Sequence, residues 1–121
     1  MKFLIVDDSN VDRHLLSSLL HELGHETEVC SDTEGVIDKL SQGQYNALFL
    51  DIVMPNQDGY KFLRALRSND STAKQHVIFC SSKKTVLEIN YGIKRAGADE
   101  YLVKPVTKET LTEVLQKVPL A

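Results

Sequence analysis

A chain of 121 residues has the size of one domain and can bury enough surface to hold together without disulfides. Its residues are 42% hydrophobic and 26% charged, and a net charge of −3 leaves no basic footprint for nucleic acid or acidic lipid. Apolar runs reach only about five residues, too short for a membrane span or a signal-peptide core, so a cytoplasmic protein without membrane insertion is expected.

The first apolar run, Phe3–Val6, leads into Asp7-Asp8. Leu15, Leu16, Leu19, Leu20 and Leu23 then recur on one face of a predicted helix that stops at Gly24. A weaker run, Thr27–Cys30, reads as an edge strand, and Ser31 with Glu34 has capping-box spacing ahead of Val36, Ile37 and Leu40. The third strand, Ala47–Leu50, runs into Asp51, and Tyr60, Phe62, Leu63 and Leu66 mark the third helix. Val77–Cys80 leads to Ser81-Ser82, followed by a helix on Val86, Ile89, Ile93 and Ala96 with Gly97 past its end. Tyr101–Val103 leads to Lys104-Pro105, and Thr107 caps a fifth helix whose inner face is Leu111, Val114, Leu115 and Val118. Cys30 and Cys80 each close an apolar run and read as small buried side chains rather than a disulfide. His14, His21, His25 and His76 lack metal-ligand spacing and are expected at the surface or at strand edges.

Five strand–helix repeats imply an α/β fold, a parallel sheet with helices on both faces and right-handed crossovers. Ligands of such sheets bind beyond the carboxyl ends of the strands. Asp7-Asp8, Asp51, Ser81-Ser82 and Lys104 all follow strand ends, so the topology gathers them at one edge. Singly, each has an ordinary reading as a turn, a cap or a solvated charge. Jointly, three carboxylates within about 5 Å repel by roughly 3 kcal/mol per pair at an effective dielectric near 20, and the cluster needs a cation. Oxygen ligands without Cys or His favour Mg²⁺ over Zn²⁺. Lys104 adds a fixed positive charge, a serine adds a hydroxyl donor, and a phosphoryl group is the anion that completes the set.

Three runs carry a resemblance. Leu4-Ile5-Val6-Asp7-Asp8-Ser9, the segment from Leu48 through Asp51 and Pro55 to Gly59, and the segment from Ala96 to Lys104-Pro105 resemble the receiver domains of two-component response regulators. The similarity extends from Lys2 to about Lys117. It implies a doubly wound, flavodoxin- or CheY-like sheet of five parallel strands, order 2-1-3-4-5, with five helices, and one receiver domain over residues 1–121 with no output domain. It also implies roles: Asp51 as phospho-acceptor, Asp8 as direct Mg²⁺ ligand, Asp7 acting through water, and the Val53 carbonyl completing the protein ligands. Lys104 contacts the acceptor and then the phosphoryl oxygens. Ser81 supplies the hydroxyl that meets them, Tyr101 is the switch aromatic, and Gly59 takes a backbone conformation suited to glycine. The Lys104–Pro105 bond resembles the family's cis peptide.

The implied partners are a sensor histidine kinase or phosphotransfer protein, a downstream protein target reached by the fourth helix, fifth strand and fifth helix, and a phosphatase. Val53 and Lys83 stand where fast-cycling members carry polar or acidic side chains. One residue more lies between Ser81 and Lys104 than in the chemotaxis regulators. The segment Tyr91–Ala98 is similar to CheY-like regulators of type IV pilus motility and phototaxis. Two alternatives stay open: a haloacid-dehalogenase-like Mg²⁺ phosphatase, which places acids at i and i+2 after its first strand, and a binding module that works without phosphorylation. The first reading makes the protein a signalling module and not an enzyme.

Overall fold

Apolar residues at successive strand positions pack on alternate faces of one sheet, as the period of two requires. A computed structural model describes residues 1–55 and 57–120; Asn56, inside the second motif run, and Ala121 lie outside the described residues. β1 (Lys2–Val6), β2 (Glu26–Cys30), β3 (Ala47–Asp51), β4 (Val77–Ser81) and β5 (Glu100–Val103) form one parallel sheet in the order β2-β1-β3-β4-β5. β2 is an edge strand, in line with its weak apolar pattern. A short antiparallel ladder, Val53–Met54 with Gln57–Asp58, follows β3.

Two apolar layers clamp the sheet. Phe3, Ile5, Phe49, Ile78 and Cys80 face α1 (Asn10–Glu22) and α5 (Lys108–Leu115), against Leu16, Leu20, Leu111 and Leu115. Leu4, Val6, Leu48, Leu50, Val77 and Phe79 face α2 (Val36–Gln42) and α3 (Gly59–Ser68), against Val36, Leu40, Leu63 and Leu66. Each such buried side chain contributes about 1.5–3 kcal/mol, against about 0–1 kcal/mol for an exposed ion pair. The core, not the surface charge, therefore fixes where the strand ends sit.

Four expectations need correction. Leu15 leaves the α1 stripe and is exposed, while Leu16 and Leu20 are buried. The capping box at Ser31 and Glu34 does not form. Glu34 N–H donates instead to Asp32 Oδ1, an Asx turn, and α2 starts after Gly35, whose φ of 71° is left-handed. The fourth helix is split: α4 proper spans Val86–Asn90, and Tyr91–Arg95 continues it as a π-turn, with Ala96 N–H donating to Tyr91 O. Val86 is exposed rather than inward, because a Thr85–Glu88 capping box starts α4 locally and packing falls to Gly92 and Ile93 about two turns later. Thr107 caps α5 as expected. Cys30 and Cys80 are free thiols; Cys80 is buried and Cys30 half-buried. Of the histidines, His76 is not at the surface: its side chain is 11% exposed, beside Asp99 and Glu100.

Candidate functional site

Asp51 is the last residue of β3, a strand with neighbours on both sides. The register pairs Leu50 with Val6, so Asp51 and Asp7 lie side by side at the ends of adjacent strands. Asp7 and Asp51 are buried and Asp8 is exposed. One carboxylate oxygen from each lies within 4.8 Å of the others. Burial and the charge of Asp7 push the Asp51 carboxyl up to about 7, with Asp8 adding to the shift and Lys104 offsetting only part of it. This all-oxygen donor set, too negative for its single lysine, suits a hard divalent cation with Asp8 on the open side.

Lys104 follows β5, and its N–H donates to Ser81 O, carrying the β4–β5 ladder to the site. The Lys104–Pro105 bond is cis, as the resemblance implied. Lys104 Nζ donates to Asp7 Oδ2 at 2.8 Å and to Asp12 Oδ2 at 2.9 Å, with Asp51 Oδ1 at 3.6 Å. Burial works against its charge, but the bonds to Asp7 and Asp12 and the field of Asp51 outweigh that and hold the ammonium pKa up. The lysine thus approaches Asp51 from a position nearer two other acids.

Ser81 ends β4 and is buried, while Ser82 is exposed, which supports the choice between them. Ser81 Oγ accepts from Lys83 N–H at 3.1 Å, and the Tyr101 hydroxyl donates to Lys83 O at 2.8 Å. The backbone of Lys83 therefore links the hydroxyl to the aromatic. Tyr101 is half-buried, edge-on to Phe79, and a Cβ on Gly92 would come within 3.1 Å of its ring. The Lys83 ammonium lies 5.9 Å from the centre of the Tyr60 ring.

Gly59 is needed, but not for the reason expected. Its φ is not positive; instead a Cβ there would stand 2.7 Å from Asp51 O and from Ile52 Cα. Close approach of α3's first residue to the backbone of Asp51 and Ile52 is what excludes a side chain.

A cleft of about 500 Å³ is lined by Asp7, Asp8, Asp51, Val53, Ser81 and Lys104. It unites every expected site residue except Tyr101, which sits behind it. Two residues were missed. Asp12, in the first turn of α1, lines the same cleft, and Arg13 Nη1 donates to Asp7 O at 2.6 Å. A helix that begins two residues after a strand-end acid pair must present its first turn to the site, and that spacing was the available signal.

The model of the response regulator receiver domain matches residues 3–116. Among curated relatives, the PilH protein of Pseudomonas aeruginosa is 32% identical over 117 residues, covering 97% of this chain and 96% of its own. The PilG protein of the same organism is 32% identical over 111 residues, covering 92% of this chain and 82% of its own. The solved chemotaxis protein CheY4 of Vibrio cholerae superposes with a TM-score of 0.85 at 30% identity, covering 98% of both chains. A matched model across nearly the full sequence, on a sheet whose strand ends gather three acids, a lysine and a serine, shows that this chain belongs to the response regulator receiver domain family.

Proposed function

We propose that the protein is a phospho-acceptor switch in a two-component pathway, with Asp51 as the residue modified. The observation that carries this reading is Asp51 itself: a buried carboxylate at the end of a central strand, beside two acids and a lysine, in an open cleft. Asp7, Asp8, Asp51 and the Val53 carbonyl would hold Mg²⁺, which would supply positive charge against the carboxylates and the incoming phosphoryl oxygens.

One Asp51 oxygen attacks phosphorus, forming an O–P bond while the donor's P–N or P–O bond breaks and its electron pair leaves with the donor. Lys104 neutralises charge on the phosphoryl oxygens, and the Ser81 hydroxyl donates to one of them. To do so, Ser81 turns from the Lys83 N–H, and the Lys83 backbone that also holds Tyr101 is disturbed. The product stays on the chain, so the outcome is a signal and not turnover. It is read at the face of α4, β5 and α5, where Val86 and Leu87 are about four-fifths exposed (77% and 80%).

A histidine kinase or phosphotransfer protein is the donor, and a protein target is the reader. Likeness to a chemotaxis protein supports a place in motility or taxis. The haloacid-dehalogenase-like alternative has no second acid to use: two residues after Asp7 stands Ser9, whose hydroxyl caps α1 by accepting from Asp12 N–H. Among the described residues no helix is long and apolar enough to cross a membrane.

Mass spectrometry after incubation with acetyl phosphate and Mg²⁺ tests the proposal. A gain of about 80 Da is expected on the parent and none on Asp51→Asn, because an amide cannot form the acyl phosphate. Full labelling of that variant refutes the acceptor.

A further inference from the structure

The resemblance gives Lys104 one duty, to the acceptor and its phosphoryl group, yet the lysine makes its shortest bonds elsewhere. Its ammonium lies 2.8 Å from Asp7 and 2.9 Å from Asp12, and only 3.6 Å from Asp51. Asp7 belongs to the acidic cluster. Asp12 does not: it sits on α1, its carboxylate is 38% exposed, and Ser9 caps its backbone N–H. Asp12 is thus a carboxylate on a rigid element, anchored in a capped first turn, and aimed at the one cation of the site.

We propose that Asp12 is a positioning residue that draws the Lys104 ammonium toward α1 and off the acceptor until a phosphoryl group competes for it. This rests on the reading of Asp51 as the acceptor. A phosphoryl group on Asp51 brings oxygens that a lysine can meet only by shifting toward them, and the shift loosens its pair with Asp12. Asp12 therefore opposes phosphoryl binding through Lys104. By adding a fourth carboxylate to the cleft, it also favours a divalent cation there. A residue with a purely structural role moves both affinities in the same direction; Asp12 moves them in opposite directions.

Calorimetry on the full chain reads this directly. Mg²⁺ alone is titrated first, then beryllofluoride, a phosphoryl mimic, at saturating Mg²⁺. Asp12→Asn is expected to weaken Mg²⁺ binding and to tighten beryllofluoride binding, each by about two- to fivefold, the scale of a partly exposed ion pair. Asp12→Glu restores the parent's values. In a Lys104→Met background the tightening disappears, because the effect runs through the lysine. Weaker or unchanged beryllofluoride binding in Asp12→Asn overturns the proposal. So does tightening that persists without Lys104, which would mean bare repulsion. Asp51→Asn is the separate control: if it binds beryllofluoride as the parent does, the acceptor reading fails, whatever Asp12 shows. Thermal melts check that each variant is folded.

Discussion

The two ends of the sheet treat their acids in opposite ways. At the amino end, Asp99 precedes β5, and its Oδ2 accepts from Val77 N–H at 2.8 Å and from Arg67 Nη2 at 3.0 Å. Arg67 in turn donates to the carbonyls of Ala73, Gln75 and Gly97, so one carboxylate and one guanidinium tie α3, β4 and β5 together. At the carboxyl end, the carboxylates of Asp7, Asp12 and Asp51 share Lys104, and that of Asp51 is held up to about 7. Charge satisfied by backbone and a fork-shaped cation holds the fold. Charge left short of a partner is stored for a ligand, and the fold carries its cost.

The sharpest break in this contrast comes from pH. Asp51 ionises near 3.8 when unfolded and near 7 when folded, so the folded state holds the proton more tightly. Metal-free stability is therefore undiminished by this group below about pH 4, and falls by a few kcal/mol as pH rises toward and through 7. Urea titrations in chelator should show Asp51→Asn close to the parent at pH 4 and more stable at pH 8. Adding Mg²⁺ at pH 8 should raise the parent more than the variant. A parent–variant gap that does not change with pH would show that the carboxyl end carries no such strain.

The amino end answers to a different change. Asp99→Asn keeps the shape but loses the charge that holds Arg67, and should lower stability by about 1–2 kcal/mol. Labelling of Asp51 by acetyl phosphate should be unchanged at a temperature where the variant is folded. A labelling defect there would mean that the two ends are not separable.

The smallest expected effect concerns how long the carboxyl end stays charged. Val53 is 60% exposed at the cleft and cannot hydrogen-bond a water, and Lys83 cannot accept from one. Replacing Val53 by Asn and Lys83 by Glu should shorten the lifetime of the phosphorylated protein several-fold by helping to orient water in line with phosphorus. The two changes should be coupled, because both address one molecule. Decay of the purified protein at fixed Mg²⁺ checks this, and an unchanged rate rules out water positioning by these two residues.

The contrast also shows what a sequence displays and what it hides. Strand-end residues were legible because topology alone brings Asp7, Asp51, Ser81 and Lys104 together, and the motifs singled out the same positions. The spacing of α1 from the acid pair signalled that Asp12 lines the cleft, but not that Lys104 rests on it, because four rotatable bonds lie between that lysine's backbone and its charge. Gly59 was rightly singled out, but for its backbone angle, whereas a neighbour's approach decides it, and a neighbour's approach has no periodicity. Val86 read as inward because helical spacing says which residues share a face, not whether anything lies opposite. Ser31 and Glu34 had the right spacing for a cap, yet Asp32 offered the backbone a competing turn.

The π-turn at Tyr91–Arg95 bears on register as well as form. Adding one residue to an α-helix rotates everything after it by about 100°, which would swing Ala96, Ala98 and the approach to Tyr101 off their faces. A widened turn takes up the extra residue within itself. The hydrogen bond from Ala98 N–H to Gly92 O closes it, and Ala98 and Leu102 remain in the core. Tyr91, turned edge-on to Tyr60 at 5.0 Å, is the side chain whose direction records the change. A reshaped outer helix is thus compatible with an unchanged inner register, so the α4 surface can differ in shape while Asp51 stays where it is.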